Sequence, residues 1–287
     1  MSNPVFENTA VFRDPQRSRQ QRGRGARPGA TTQYGPTATA GYDAATLDQM
    51  YNAPAATNAQ AGRMTYDDVI VKTAGLLAVV AATAAFAWFV VPDTLRMPVA
   101  IAGALVGFVL GLVNAFKKSP SPALIVLYAA AEGLFLGGIS WYIEVAANLP
   151  GIVMQAVLAT MATFAACLVL FRSGKVRVTP KFTRWLLVAM GGYLVFSLIN
   201  LGMALFGAGG DGMFGPLRSG GLGMVVGLFA VGLAAAMLIV DFDSIKRGVE
   251  GGAPAKLAWT AAFGLVVTLV WMYLEFLRLI AILRGGD

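Results

Sequence analysis

Seven apolar stretches, separated by short polar loops, constrain this chain more than any other feature. A helix needs about 20 apolar residues to cross the hydrocarbon of a bilayer. Backbone groups inside lipid have no water to bind, so spanning segments must satisfy their hydrogen bonds internally, as helices do. The stretches therefore predict seven membrane-spanning helices, at residues 69–91, 97–116, 123–143, 151–171, 185–206, 222–243 and 260–283. Proline breaks helices, so eight prolines are expected between the spans: Pro92, Pro98, Pro120, Pro122, Pro150, Pro180, Pro216 and Pro254.

The first 64 residues have a different composition, rich in Ala, Gly, Arg, Thr, Gln and Pro and without an apolar period. Such a segment cannot bury enough surface to offset its ordering entropy, and without an apolar core near Met1 it is not a signal peptide. The sequence thus predicts a disordered basic tail at residues 1–64, followed at residues 65–287 by an all-α domain, a bundle of seven transmembrane helices.

The tail contains an arginine-rich run at residues 17–27 that resembles a nucleic-acid-binding patch. No aromatic residues are interleaved with these arginines to stack on bases. Contact with anionic headgroups explains the run better, and we expect no nucleic-acid partner.

Basic residues in the short loops predict the orientation of the bundle, because cytosolic loops carry more Lys and Arg. Arg96, Arg218 and Arg284 would lie on one side. The ten on the other side are Lys117, Lys118, Arg172, Lys175, Arg177, Lys181, Arg184, Lys246, Arg247 and Lys256. The second group belongs with the basic tail. The sequence therefore predicts a cytosolic N-terminus, an extracytosolic C-terminus and anionic lipids as partners.

The chain has no histidine and a single cysteine, Cys167. Without histidine, Ser-His and Cys-His catalysis and imidazole metal sites are excluded. Cys167 lies in an apolar run and is expected to be a small buried hydrophobe. An intramembrane aspartyl protease would need a Gly-x-Gly-Asp signature that the chain lacks, so we expect no enzyme and no cofactor.

Four acids lie inside or at the edge of the predicted spans: Glu132, Asp241, Asp243 and Glu275. A carboxylate in hydrocarbon is costly and usually faces a cavity, a partner or an ion path. Asp241 and Asp243 are two residues apart and point to nearly opposite sides of a helix, so only one of them can face the bundle comfortably. A purely structural role is the alternative for these acids. Asp241 and Asp243 would then be solvated at the end of their helix beside basic residues. Glu275 would form an ion pair with Arg278, three residues further along its helix.

Glycines recur at spacings of four on three of the spans. The pairs and triplets are Gly103, Gly107 and Gly111, Gly133 and Gly137, and Gly223 and Gly227. Such stripes let helix backbones approach closely in a membrane. They predict a compact bundle.

Five short motifs, in order along the chain, resemble those of the Bax inhibitor-1 family, also called the transmembrane Bax inhibitor motif family. The likeness is closest to its long-tailed bacterial branch and covers roughly residues 65–287. The motifs are Asp241-Phe-Asp-Ser-Ile245, Trp271-Met-Tyr-Leu-Glu-Phe-Leu-Arg-Leu-Ile280, Ala131-Glu-Gly-Leu-Phe-Leu-Gly-Gly138, Gly252-Ala-Pro254 and, at the start, Asn3-Pro-Val-Phe6.

This resemblance implies a protein of the bacterial inner membrane with a seven-helix fold that leaks Ca²⁺ in a pH-dependent way. Carried over by motif, the paired acids of the family are Asp243 and Glu275, although Phe242 replaces a Tyr and Glu275 an Asp. Two close carboxylates in a low dielectric titrate as a coupled pair. A shared proton would hold the sixth and seventh helices together, and its loss would separate them and form an oxygen site for Ca²⁺.

Asp243 and Glu275 are thus the predicted gating and pH-sensing residues and the predicted Ca²⁺ ligands, while Asp241, Glu132 and Arg278 are predicted to line or support the ion path. Two alternatives stay open. Intramembrane acids also suit proton relays, which a proton-coupled transporter would use. A regulatory membrane protein that acts through partners without conducting is the other.

Overall fold

The computed structural model describes residues 62–117, 119–174, 176, 178–207 and 214–285. Over these residues the chain is helical, and its seven long helices are all long and apolar enough to cross a membrane. They are α1 (Tyr66–Phe89), α2 (Asp93–Phe116), α3 (Pro122–Trp141), α4 (Ile152–Arg172), α5 (Pro180–Leu205), α6 (Gly220–Glu250) and α7 (Leu257–Leu283). A π-helical turn, Tyr142–Ala146, extends α3. The predicted all-α, seven-helix fold is confirmed.

Local sequence explains where several helices begin. Thr65 and Asp68 form a capping box at the start of α1, each side chain accepting a hydrogen bond from the other's backbone N–H. Pro122 and Pro180 are the first residues of α3 and α5, where a missing N–H costs nothing. The prediction that all eight prolines lie between helices is wrong for Pro98, which lies inside α2 and also within the predicted span 97–116. The helix begins five residues before Pro98, at Asp93, earlier than apolarity alone indicates.

Arg96 connects the end of α1 to the start of α2. Its guanidinium donates to the backbone oxygens of Ala87, Trp88 and Val91 at 2.7 to 3.1 Å, where a helix end leaves carbonyls unpaired. It also pairs with Asp93 at 2.5 Å and lies 4.0 Å from the centre of the Trp141 ring. The side chain is buried. Arg96 therefore caps the carbonyl oxygens at the end of α1 from inside the protein and is not a free charge in the loop.

Helix α7 lies at the centre of the bundle, packed against α1, α3, α4 and α6. Glycines allow the closest approaches, as the predicted stripes require. A Cβ on Gly103 of α2 would lie 2.7 Å from the carbonyl oxygen of Ala131 in α3, and one on Gly138 would lie 2.5 Å from the Cβ of Ala100. Helix α5 is peripheral and packs mainly on α6.

The folded part of the chain includes residues 62–64, which the sequence assigned to the tail. Met64 is buried, and its N–H donates to the oxygen of Ala253 at 2.7 Å, while Ala255 N–H donates to the oxygen of Gly62 at 2.9 Å. These bonds attach the segment to the α6–α7 loop. Residues 62–64 thus contact the bundle, and the predicted division of the chain after residue 64 stays a prediction. Residues 1–61, with the Asn3–Phe6 motif and the arginine run, lie outside the described residues.

Candidate functional site

Glu275 lies on α7 at the centre of a buried ionic group that we call the Glu275 cluster: Glu275, Arg278, Arg218, Tyr193 and Trp271. The Glu275 side chain is 4 % exposed. Its Oε1 accepts hydrogen bonds from Arg218 Nη2 at 2.7 Å, from Trp271 Nε1 at 3.2 Å and from the Tyr193 hydroxyl. Its Oε2 lies 2.5 Å from Arg278 Nη2. The cluster joins side chains that are far apart in sequence.

Three elements supply the cluster. Trp271, Glu275 and Arg278 are spaced by four and three residues on α7, so they share one face of that helix. Tyr193 comes from the middle of α5, and Arg218 comes from the segment just before α6. A buried asparagine, Asn200, holds that segment, since its side chain binds the oxygen of Phe214 at 2.8 Å and the N–H of Leu217 at 2.9 Å.

The cluster contains two guanidinium cations and one carboxylate. Arg278, like Glu275, is almost completely buried, and guanidinium groups stay protonated in proteins. Buried charges are costly unless they are paired, which explains why the carboxylate lies between the two cations. Gly227 of α6 makes room for them, because a Cβ there would lie 3.3 Å from Arg278 Nη2. The ion pair considered for Glu275 and Arg278 is present, and Arg218 adds a second cation.

Asp243 lies elsewhere. Its Oδ2 is 3.1 Å from Arg247 Nε, one turn further along α6, and its side chain is 20 % exposed. Asp241 faces α7 instead, where the Thr268 hydroxyl donates to its Oδ2 at 2.8 Å. Glu275 follows Thr268 by seven residues, about 10 Å along the helix axis. Because α6 and α7 run antiparallel, Asp243 lies still further from Glu275 than Asp241 does.

Asp243 and Glu275 therefore lie apart in this structure. The shared proton and the Ca²⁺ site predicted for them stay predictions that this arrangement does not support. Over the part of the chain that is described, no three acidic or cysteine side chains come together as a metal site. Helix α6 continues to Glu250 instead of ending near Asp243, and this places Arg247 one turn from Asp243. The rotation of α6 against α7 decides that Asp241 faces Thr268.

Glu132 lies on α3 and faces α2. A Cβ on Gly107 would lie 2.8 Å from its Oε1, so the glycine of α2 makes room for the carboxylate. No Lys or Arg of the described residues forms an ion pair with Glu132. Glu132 is thus separate from the Glu275 cluster and keeps its predicted place inside the bundle.

Sequence reasoning missed Arg218, Tyr193 and Asn200. Arg218 was counted only as a loop charge, although an arginine in a loop with few other charges was a signal that it could pair with a buried acid. Tyr193 and Asn200 lie seven residues apart on α5, on one face by helical geometry, but nothing in the sequence connects them to Glu275. Cys167 is buried as predicted, with its Sγ 3.7 Å from the oxygen of Ala235.

A family model described as Bax inhibitor 1 like matches residues 3–285. This range contains every motif on which the resemblance was based, and also Tyr193, Asn200 and Arg218. A search of curated proteins finds no match.

Proposed function

The chain belongs to the Bax inhibitor 1 like family, and on that premise we propose that it is a pH-sensitive calcium leak channel held closed by the Glu275 cluster. One observation carries the proposal: a buried carboxylate pairs with Arg278 of its own helix and with Arg218 of another segment. Intramembrane ion pairs are costly and usually mark ion paths or switches. Breaking this one frees α7 from both α5 and the start of α6.

The ion path in this proposal follows the seam between α6 and α7. Asp243 lies partly exposed at one end, Asp241 is next beside Thr268, and Glu275 lies about 10 Å beyond Thr268. Carboxylates at successive depths suit stepwise passage of a divalent cation, because each binds it without trapping it. Arg218 and Arg278 bar the cation at Glu275, as fixed positive charges do in selective pores.

The pairing of Glu275 with Arg218 and Arg278 is the proposed gate. Without the charge of Glu275, two cations in the bundle, one of them almost completely buried, lack their carboxylate, and this destabilises the closed packing. Loss of the pairing should therefore open the path.

Ca²⁺ release from liposomes that contain only the purified protein tests the proposal. Between about pH 8 and 5, the wild type should change its leak rate with pH, whereas Glu275→Gln should leak at a high rate at every pH. Asp243→Asn is the control, because its ion pair with Arg247 is partly exposed and weak, and it should keep the wild-type pH response. A Glu275→Gln profile that matches the wild type would contradict the proposed gate. No flux from any variant would favour a partner-dependent regulator, and flux that needs a proton gradient would favour a transporter.

The proposed orientation keeps the N-terminus in the cytosol of a bacterial cell, with the C-terminus outside the inner membrane. The pairing of two of the three basic residues on the extracytosolic side supports this orientation. Arg96 and Arg218 are paired inside the protein, so the charge difference between the two sides is larger than the residue counts indicate. The basic loops at the cytosolic side would then contact anionic lipid. Cysteines introduced at Ser2 and Gly286 of a Cys167→Ser variant should be labelled from opposite sides.

A further inference from the structure

A groove of about 570 Å³ opens between α1 and α4. Its walls are residues 77–89 of α1, 136–144 of α3 and its π-helical turn, 153–161 of α4 and 269–273 of α7. Both α1 and α4 pack against α7, but over their described lengths they make at most sparse contact with each other. The segments of α1, α3 and α4 lie toward the end of the bundle where α1 ends, and the segment of α7 lies near the middle of that helix. We call this feature the α1–α4 groove.

The groove faces the hydrocarbon of the membrane. Its rim residues Phe89 and Met154 are 80 % and 63 % exposed, and both lie on helices that are long and apolar enough to span a bilayer. Along α1 the groove extends for 12 residues, about 18 Å, which is comparable to the roughly 15 Å depth of one leaflet's hydrocarbon. An apolar space of this kind does not hold water, and if it stayed empty its walls would lose dispersion contacts.

The polar groups along the groove already have partners. The Ser140 and Tyr273 hydroxyls bond to each other at 2.7 Å, and the Thr160 hydroxyl donates to the oxygen of Ala156 at 2.8 Å. None of the buried polar atoms that lack a hydrogen bond belongs to a groove residue, among the residues described. The interior therefore suits a hydrocarbon chain and no polar ligand.

One charged side chain lines the groove, and it is acidic. Glu144 lies in the π-helical turn at the outer end, where its Oε2 accepts a hydrogen bond from the N–H of Val153 at 3.0 Å. No Lys or Arg of the described residues forms an ion pair with it. A carboxylate at headgroup depth attracts a cationic group and repels an anionic one.

We propose that the α1–α4 groove is a lipid-binding site that takes one acyl chain of a phospholipid with an ammonium headgroup. The chain enters sideways between α1 and α4, its ammonium group lies beside Glu144, and its end reaches the region of Leu77 and Ala81. The groove also borders α7 at Leu269 and Tyr273, so an occupant contacts the helix that carries Glu275. The site stands whether or not the protein conducts calcium.

Photocrosslinking in liposomes tests the site. The probe is phosphatidylethanolamine with a diazirine at the end of one acyl chain, compared with phosphatidylglycerol that carries the same chain. Mass spectrometry of the full-length protein should find adducts enriched several-fold near Leu77 and Ala81 over those on the exposed face of α5. They should form more with phosphatidylethanolamine than with phosphatidylglycerol.

Three variants sharpen the test. Ala81→Phe and Val157→Trp fill the groove from opposite walls and should remove the groove adducts, whereas Val188→Trp on the exposed face of α5 should keep them. Glu144→Gln should keep chain binding but reduce the headgroup preference by up to about fivefold, the range of a half-exposed ion pair. Adducts spread evenly over all exposed apolar faces mean annular lipid only and overturn the site. Equal groove adducts from both lipids, unchanged in Glu144→Gln, overturn the ammonium assignment.

Discussion

Helices α5 and α7 are nearly equal in apolar character and opposite in burial. The mean hydropathy of the most apolar stretch is 1.9 in α5 and 2.0 in α7, yet 11 % of the residues in the first stretch are buried and 61 % in the second. In water such a difference would accompany a difference in composition. In a bilayer lipid tails are as apolar as leucine, so hydropathy places both helices in the membrane and does not indicate which one forms the core.

The largest difference in stability between the two helices is expected when a charged residue of each is replaced by glutamine. Glu275→Gln in α7 removes the carboxylate that pairs with both Arg278 and Arg218, and leaving buried charge without its partner typically costs about 3–5 kcal/mol. Arg184→Gln in the exposed part of α5 should change stability by less than about 0.5 kcal/mol. Reversible unfolding in mixed micelles measures both. Equal effects would mean that the Glu275 cluster does not stabilise the bundle.

The second largest difference in stability between the two helices is expected when an apolar side chain of each is shortened. Met272→Ala in α7 leaves a cavity, because Met272 is fully buried, and should destabilise the protein by about 2–4 kcal/mol. Val188→Ala in α5 should be nearly neutral, because Val188 is 76 % exposed and lipid fills the space. The same unfolding assay decides. A neutral Met272→Ala would show that the centre of the bundle repacks freely.

The smallest effect is expected from added methyl groups on glycine. In Gly138→Ala the new Cβ would lie 2.5 Å from that of Ala100, and overpacking of this kind costs about 1–3 kcal/mol. Gly191→Ala in α5 has nothing within 4 Å and should be neutral or slightly stabilising, since alanine favours the helix. If the midpoint temperature of unfolding shifted by the same amount in both variants, the close helix approach at Gly138 would not contribute to the stability of the bundle.

Most of the fold was predictable, and less of the site. The seven helices follow from apolar length, but α6 extends seven residues past its predicted end because polar residues after Asp243 continue the helix at the membrane surface. That extension supplies Arg247 as the partner of Asp243. Glu275 was identified as a buried acid, yet its partners Arg218 and Tyr193 come from segments that no spacing rule connects to it. The pairing of Glu275 with Arg278 could be predicted, because residues three apart lie on the same face of a helix.

The sequence by itself determined that this is a seven-helix membrane protein of the Bax inhibitor 1 like family, because apolar length and short motifs are local properties of the chain. Tertiary structure alone decided that Glu275 lies between two arginines, that Asp241 and not Asp243 meets α7, and that α1 and α4 stay apart to form a groove. Each of these depends on the register and rotation of helices against one another. Those quantities are set by packing at contacts such as Gly227 against Arg278, where the absence of a Cβ on the glycine leaves room for the guanidinium.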